Sequence, residues 1–296
     1  MSIETYLQQK KALVEDGLRR VRFHPQGLSR RHFEAMNYSL EAGGKRVRPV
    51  LCLATAEALG AAPQSCLPVA CALECIHTYS LIHDDLPAMD NDELRRGKPT
   101  SHMVYGEAGA ILAGDGLQAY AFELLSAPWP GEPLPPADRL RIIHLVSRAI
   151  GPEGMVGGQA LDIESENQDI PFETLRAIHA RKTGALITAS VQAGAILGRA
   201  SDNAFARLTE YGNGIGLAFQ IVDDLLNVTS TTEQLGKMAG SDAHRRKATY
   251  PALFGIDGTR ERAAVAVRNA VAALEGFDAQ ADPLRQLATY ILDRSH

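Results

Sequence analysis

The sequence predicts an all-α protein, a single large bundle of long, mostly antiparallel helices. Three observations support that class. Ala, Leu, Glu, Arg and Gln, all good helix formers, are abundant. Apolar residues recur every three or four positions over long windows. Runs of β-branched residues bounded by turns, which would signal strands, are absent. With 296 residues, 45% of them hydrophobic, the chain has enough material for one large core.

The elements follow in order. A helix is expected to start near Pro49, after Gly43-Gly44. Over residues 68–86, Val69, Leu73, Ile76, Ser80 and His83 trace one stripe, with Ala72, Tyr79 and Leu86 beside it. Similar spacing predicts helices over 106–127, 137–150, 172–198 and 202–228. Gly and Pro punctuate them at 61–63, 128–136, 151–152 and 198–201. The Pro-rich stretch at 128–136 is the best linker candidate. Helices of the same character continue on both sides, so it reads as a surface loop within one domain spanning residues 1–296. No repeat of solenoid period and no low-complexity tract interrupts the pattern.

A net charge of −5 argues against a nucleic-acid or anionic-membrane surface. The N-terminal residues show no basic region followed by an apolar run, and no stretch approaches ~18 uninterrupted apolar residues. No membrane span and a cytoplasmic location are therefore expected. Cys71 and Cys75 lie one helical turn apart near His77, which raises zinc, but the spacing matches neither a finger nor a ribbon. With Cys52 and Cys66 they read as small buried hydrophobes.

The chemistry concentrates in two acidic clusters, Asp84-Asp85-Leu86-Pro87-Ala88-Met89-Asp90 and Asp223-Asp224-Leu225-Leu226-Asn227. Both stand in apolar, helix-forming surroundings, where uncompensated carboxylates are costly to bury. On a helix Asp223 and Asn227 stack on one face, with Asp224 beside them. Asp84 and Asp90 are six apart, but Pro87 disfavours helix at Leu86, so the helix ends or bulges there and can bring Asp90 round to Asp84. Basic residues form compact sets: Lys45, Arg46 and Arg48 behind Gly43-Gly44; Arg95, Arg96 and Lys98; Lys182-Thr183-Gly184; and Lys237 through Lys247. Arginine forks match phosphate oxygens two at a time. Acidic clusters flanked by such sets suit Mg²⁺ bridging the protein to a polyphosphate, since Mg²⁺ takes one or two carboxylates together with phosphates and waters.

The segment from Ile82 to Thr100 resembles the first aspartate-rich region of bacterial short-chain trans-prenyl diphosphate synthases. The likeness extends through residues 43–49, 157–162, 182–184, 219–224, 235–237, 247–251 and 290–294. What it implies is a helical bundle around a central cavity, in which isopentenyl diphosphate condenses with dimethylallyl and then geranyl diphosphate. In the resemblance, Asp84 and Asp90 hold Mg²⁺ from one side, Asp223 and Asp242 from the other, with Asp85 and Asp224 completing the two clusters; three ions are implied, and Mn²⁺ can substitute. Arg95, Lys182 and Lys237 contact the allylic diphosphate, and Lys182, Thr183 and Gln220 face its carbons. Gly44, Lys45, Arg48, His77 and Arg96 form a metal-free pocket for isopentenyl diphosphate. A homodimer is implied as well.

Tyr79 and Ser80 precede Asp84 by five and four residues, where an elongating tail would descend. A rigid Tyr ring there predicts a fifteen-carbon product, with ten- and twenty-carbon synthases of the same family as alternatives. A class I terpene cyclase would need Ser or Thr at 227 and Glu at 231, where this chain has Asn227 and Thr231. A non-catalytic partner subunit would be expected to lose Asp84, Asp90 or the Arg pair, and all are present. Asn227 is the departure from the family's pattern, which has Asp there, and it implies a weaker hold on the third ion.

Overall fold

Stable helices need their ends satisfied as well as an apolar face. Three long helices here have side-chain caps. Ser2 accepts from Thr5 N ahead of α1 (Ile3–Val21), Ser201 from Ala204 N ahead of α11 (Asp202–Thr229), and Thr249 from Ala252 N ahead of α12 (Tyr250–Ala273). The structure, a computed structural model, describes residues 1–128, 134–230 and 248–293. Between α1 and α11 lie α2 (Arg30–Leu40), α3 (Val47–Glu57), α4 (Pro63–Asp84), α5 (Ser101–Tyr105), α6 (Glu107–Ser126), α7 (Pro136–Ile150), α8 (Met155–Glu164), α9 (Phe172–Ile178) and α10 (Ala185–Leu197). The last is α13 (Asp282–Asp293).

The core forms two apolar clusters. One gathers α2, α4, α6 and α7 around residues such as Leu73, Ile76, Leu117 and Ile142. The other gathers α11, α12 and α13 around Tyr211, Ile215, Val267 and Leu284. Helices α3 and α10 give residues to both, Leu53 and Leu186 to the first and Leu51 and Ile187 to the second. A helix wedged between two cores is apolar all round. Leu125 before the Pro-rich stretch and Leu134, Ile142 and Val146 after it share one cluster. By length and composition α4 is apolar enough to cross a membrane, yet 67% of its apolar window is buried inside the protein. All four cysteines are free and buried. Burial pushes the Cys71 thiol up to about 12.

Two expectations need correction. The predicted helix over 172–198 is not continuous, because a π-helical turn, His179–Gly184, separates α9 from α10. The chain also contains a minimal hairpin, β1 (Leu94–Arg95) with β2 (Lys98–Pro99), paired Leu94 to Pro99 and Arg95 to Lys98. Arg96 and Gly97 adopt φ of 54° and 74° between them. Two left-handed central residues make the tightest hairpin loop.

Candidate active site

Helix α4 ends at Asp84, and the chain then doubles back. Met89 N and Asn91 N both donate to Leu86 O, at 2.9 and 3.0 Å, while Asp90 N donates to Asp84 O at 2.7 Å. The six-residue gap between the aspartates is thus closed by a turn. Burial pushes the Asp84 carboxyl up to about 6; Lys182 opposes the shift, and Asp90 adds to it. Asp85, expected beside Asp84 in the ligand set, makes an ion pair. It is buried against Arg95, whose Nε and Nη2 approach Oδ1 at 2.6 and 2.5 Å, and Arg95 also reaches Asp92 at 3.3 Å. These contacts tie the end of α4 to the hairpin.

Lys182 stands between the two acidic clusters. It lies in the π-helical turn with Thr183, and its Nζ donates to Asp162 Oδ2 on α8 at 2.6 Å. Burial disfavours its charge, but Asp162, Asp84 and Asp90 together outweigh that and hold its pKa above the usual value. The neighbouring His179 is pushed down to about 4, chiefly by burial, with Asp162 and Asp223 opposing and Lys182 reinforcing. Asp84 and Asp90 on one side and Asp223 on the other are therefore electrostatic neighbours of one small segment. Helix α8 reaches that segment through Gly158, where an added Cβ would lie 2.7 Å from Lys182 Cα and 2.8 Å from Arg181 Cβ.

Asp223 is half-buried on α11. Asp224, expected as a further ligand, is 4% exposed and points into the protein. Its Oδ1 accepts from Gln220 Nε2 at 3.1 Å and its Oδ2 from Tyr250 N at 3.0 Å. One residue along a helix is a 100° rotation, so adjacent aspartates cannot share a face. Asp224 fastens α11 to the start of α12. Asn227 stacks one turn beyond Asp223 and is buried. Lys237 and Asp242 lie outside the described residues.

The third locus is basic. Arg48 on α3, His77 on α4 and Arg96 on the hairpin turn converge. Burial draws the Arg48 pKa down to about 10, with Glu74 opposing and Arg96 reinforcing. Burial, then Arg48 and Arg96, drives His77 well below its ordinary value, so its imidazole is neutral near pH 7. Arg48 Nε and His77 Nδ1 are buried without a hydrogen-bond partner among the described residues. Arg96 Nη1 donates to Gly43 O. Gly44, at φ 130°, holds a backbone conformation that strains any residue with a side chain, and a Cβ there would lie 2.5 Å from the Arg96 guanidinium carbon and displace it. Lys45 is exposed at the rim. The adjacent Arg95 and Arg96 thus serve different neighbourhoods, the aspartates and the basic pocket.

Tyr79 is 4% exposed, packs edge-on against His83, and has no partner for its hydroxyl among the described residues. Burial and the Asp84 carboxylate push its phenol up to about 12. Ser80 Oγ donates to His77 O at 2.9 Å. Sequence reasoning gave no role to Asp162, His179 or Glu74. For Asp162, a carboxylate four residues after Gly158, the first in the segment that opens with Met155-Val156-Gly157, was the signal available. Among the described residues, no three His, Cys, Asp or Glu side chains are arranged to hold a metal by themselves.

Comparison with known proteins agrees with this geometry. Residues 30–282 match the polyprenyl synthetase family. The farnesyl diphosphate synthase of Geobacillus stearothermophilus is 48% identical, covering 100% of this chain and 99% of its own. The geranylgeranyl diphosphate synthase of Cyanophora paradoxa is 47% identical, covering 99% and 96%. Among solved structures, an FPP/GFPP synthase from Zymomonas mobilis superimposes with a TM-score of 0.87 at 41% identity, covering 98% of each chain. The chain is a member of the polyprenyl synthetase family.

Proposed function

We propose that this protein condenses isopentenyl diphosphate with dimethylallyl and then geranyl diphosphate, releasing a fifteen-carbon prenyl diphosphate. The observation that carries the reading is the pairing of two unlike anion sites. One combines Asp84, Asp90 and Asp223 with Lys182; the other combines Arg48, His77 and Arg96. An enzyme that acts on a single diphosphate has no use for the second, which weighs against a cyclase.

The aspartates fit Mg²⁺. Their donors are hard oxygens, and burial and Asp90 both disfavour the charged form of Asp84, a condition a cation relieves. Asp84, Asp90 and Asp223 are the proposed holders, with Asp242 assisting and Mn²⁺ an acceptable substitute; three ions are proposed. Mg²⁺, when bound, supplies positive charge to the leaving diphosphate without proton transfer. Asp85 and Asp224 act behind the ligands, as positioning groups.

Lys182 and Arg95, with Lys237, bind the allylic diphosphate. Its C–O bond breaks with the electron pair leaving on diphosphate, where fixed cations in a dry site stabilise the developing charge. The allylic cation faces the Lys182 carbonyl, Thr183 and Gln220. Arg48, His77, Arg96 and Lys45 hold isopentenyl diphosphate so that its double bond attacks the cation and forms the new C–C bond, a step that needs placement above all. A proton then leaves to the released diphosphate. Tyr79, whose hydroxyl has no hydrogen-bond partner among the described residues, floors the tail channel beside Ser80. The protein is proposed to act as one domain, as a homodimer, and in the cytoplasm without a membrane span. The exposed Met103, Val104, Ile111 and Leu112 offer an apolar face for self-association.

The test is incubation with Mg²⁺, geranyl diphosphate and radiolabelled isopentenyl diphosphate. Label in a fifteen-carbon product supports the reading. Cyclised hydrocarbon from geranyl diphosphate alone, or no incorporation, would overturn it.

A further inference from the structure

Arg46 stands between Lys45 and Arg48 in sequence, yet its side chain serves the opposite purpose. Its guanidinium is fully buried and gripped from three sides. Nε donates to Glu15 Oε1 on α1 at 2.8 Å, Nη1 to Glu74 Oε1 on α4 at 2.5 Å, and Nη2 to Leu40 O at the end of α2 at 2.6 Å. Burial works against the Arg46 charge, but Glu74 and Glu15 outweigh it. The backbone at Arg46 is left-handed, φ 52° and ψ 36°, directly before α3. Gly43 and Gly44, three and two residues earlier, also have positive φ. A residue with a side chain persists in that conformation only where its surroundings over-determine it, and such residues cluster at ligand sites. A guanidinium fork has fixed bond directions, so three anchors on three helices fix the backbone that carries it.

The consequence falls on the neighbours. With Arg46 turned inward, Lys45 remains exposed and Arg48 is free to converge with Arg96 and His77. Glu74 ties the arrangement together, since it is also the carboxylate that opposes the burial penalty at both Arg48 and Arg96. We propose that Arg46 is a positioning residue, clamped by Glu15, Glu74 and the Leu40 carbonyl, that sets how Lys45 and Arg48 are presented to the diphosphate of isopentenyl diphosphate. This inference rests on the reading of the basic pocket given above.

The experiment compares Arg46→Lys, Glu15→Gln and Arg48→Gln with the full-length wild type. It measures KM for each substrate, kcat and the thermal midpoint. Lys keeps the charge but cannot make three fixed bonds. Arg46→Lys is expected to raise KM for isopentenyl diphosphate about tenfold while KM for geranyl diphosphate and kcat stay within about twofold. Glu15→Gln, at a half-exposed carboxylate, removes one anchor and should raise the same KM about threefold. A purely structural role would lower the active fraction, seen as a fall in kcat with both KM values unmoved, and that result overturns the proposal. If Arg46→Lys does not fold, Glu15→Gln decides: a selective rise in KM supports the clamp and an unchanged KM refutes it. If Arg48→Gln also leaves KM for isopentenyl diphosphate unchanged, the pocket assignment itself fails. If Arg48→Gln raises it and the other two do not, only the clamp fails.

Discussion

Replacing Gly158 with Ala tests whether the π-helical turn positions the reacting groups. An added Cβ would stand 2.2 Å from Lys182 N, 2.7 Å from Lys182 Cα and 2.8 Å from Arg181 Cβ, and backbone cannot rotate aside as a flexible side chain can. Relieving the tightest contact, from 2.2 Å to an ordinary carbon–nitrogen separation of about 3.4 Å, requires α8 and the turn to part by roughly 1.2 Å. Overpacking of this kind costs about 1–3 kcal/mol of stability, a loss a protein of this size survives folded. A displacement near 1 Å at a catalytic group costs on the order of 10²-fold in rate. Lys182 and Thr183 would move relative to Asp84 and Asp90, while the basic pocket would not. Steady-state kinetics with geranyl and isopentenyl diphosphates should therefore show kcat falling between about 10-fold and 100-fold with KM for isopentenyl diphosphate within about threefold. Gly116→Ala is the control, because its Cβ would meet only the far ends of His32 and Met36, at 3.0 Å and beyond. A Gly158→Ala enzyme with wild-type kcat, folded by circular dichroism, would show that the turn does not position the chemistry.

Asp84→Ala, Asp90→Ala or Asp223→Ala should each lower turnover by several orders of magnitude with the helical spectrum intact, because the leaving charge loses its stabilisation; full activity of wild type in excess chelator would refute the metal assignment. Tyr79→Ala should extend the product to twenty carbons or more, read by chromatography of the dephosphorylated alcohols, and an unchanged product length would place the floor elsewhere. Asn227→Asp should lower the Mg²⁺ concentration for half-maximal rate, since it restores a carboxylate one helical turn from Asp223; an unchanged value puts position 227 outside the metal's reach.

The fold was legible because helical periodicity survives burial. The stripe through Val69, Leu73 and Ile76 does lie in the core, and the limits of α7 and α11 fall within a residue or so of the expected ones. Pro87 correctly marked where the chain leaves the helix and brings Asp90 back to Asp84. The π-helical turn left no such mark. Its residues, His179 to Gly184, continue a helical composition, and the widening answers close contacts from Gly158 and Gly216 on other helices. The hairpin escaped notice because two residues per strand carry no alternation to detect. Residue type alone cannot separate Asp84 from Asp85, or Asp223 from Asp224. The distinction depends on Arg95 and on Tyr250 N, which reach the second member of each pair through the tertiary fold.

The account stands on two diphosphate pockets of different chemistry, one dependent on metal and one not. Calorimetric titration of each substrate into the full-length protein, in Mg²⁺ and again in EDTA, measures this directly. Isopentenyl diphosphate should bind equally well in both and lose most of its affinity in Arg48→Gln, whereas geranyl diphosphate should bind only with Mg²⁺ and lose affinity in Asp84→Ala. Binding of isopentenyl diphosphate that requires Mg²⁺, or binding of geranyl diphosphate that does not, would contradict the account.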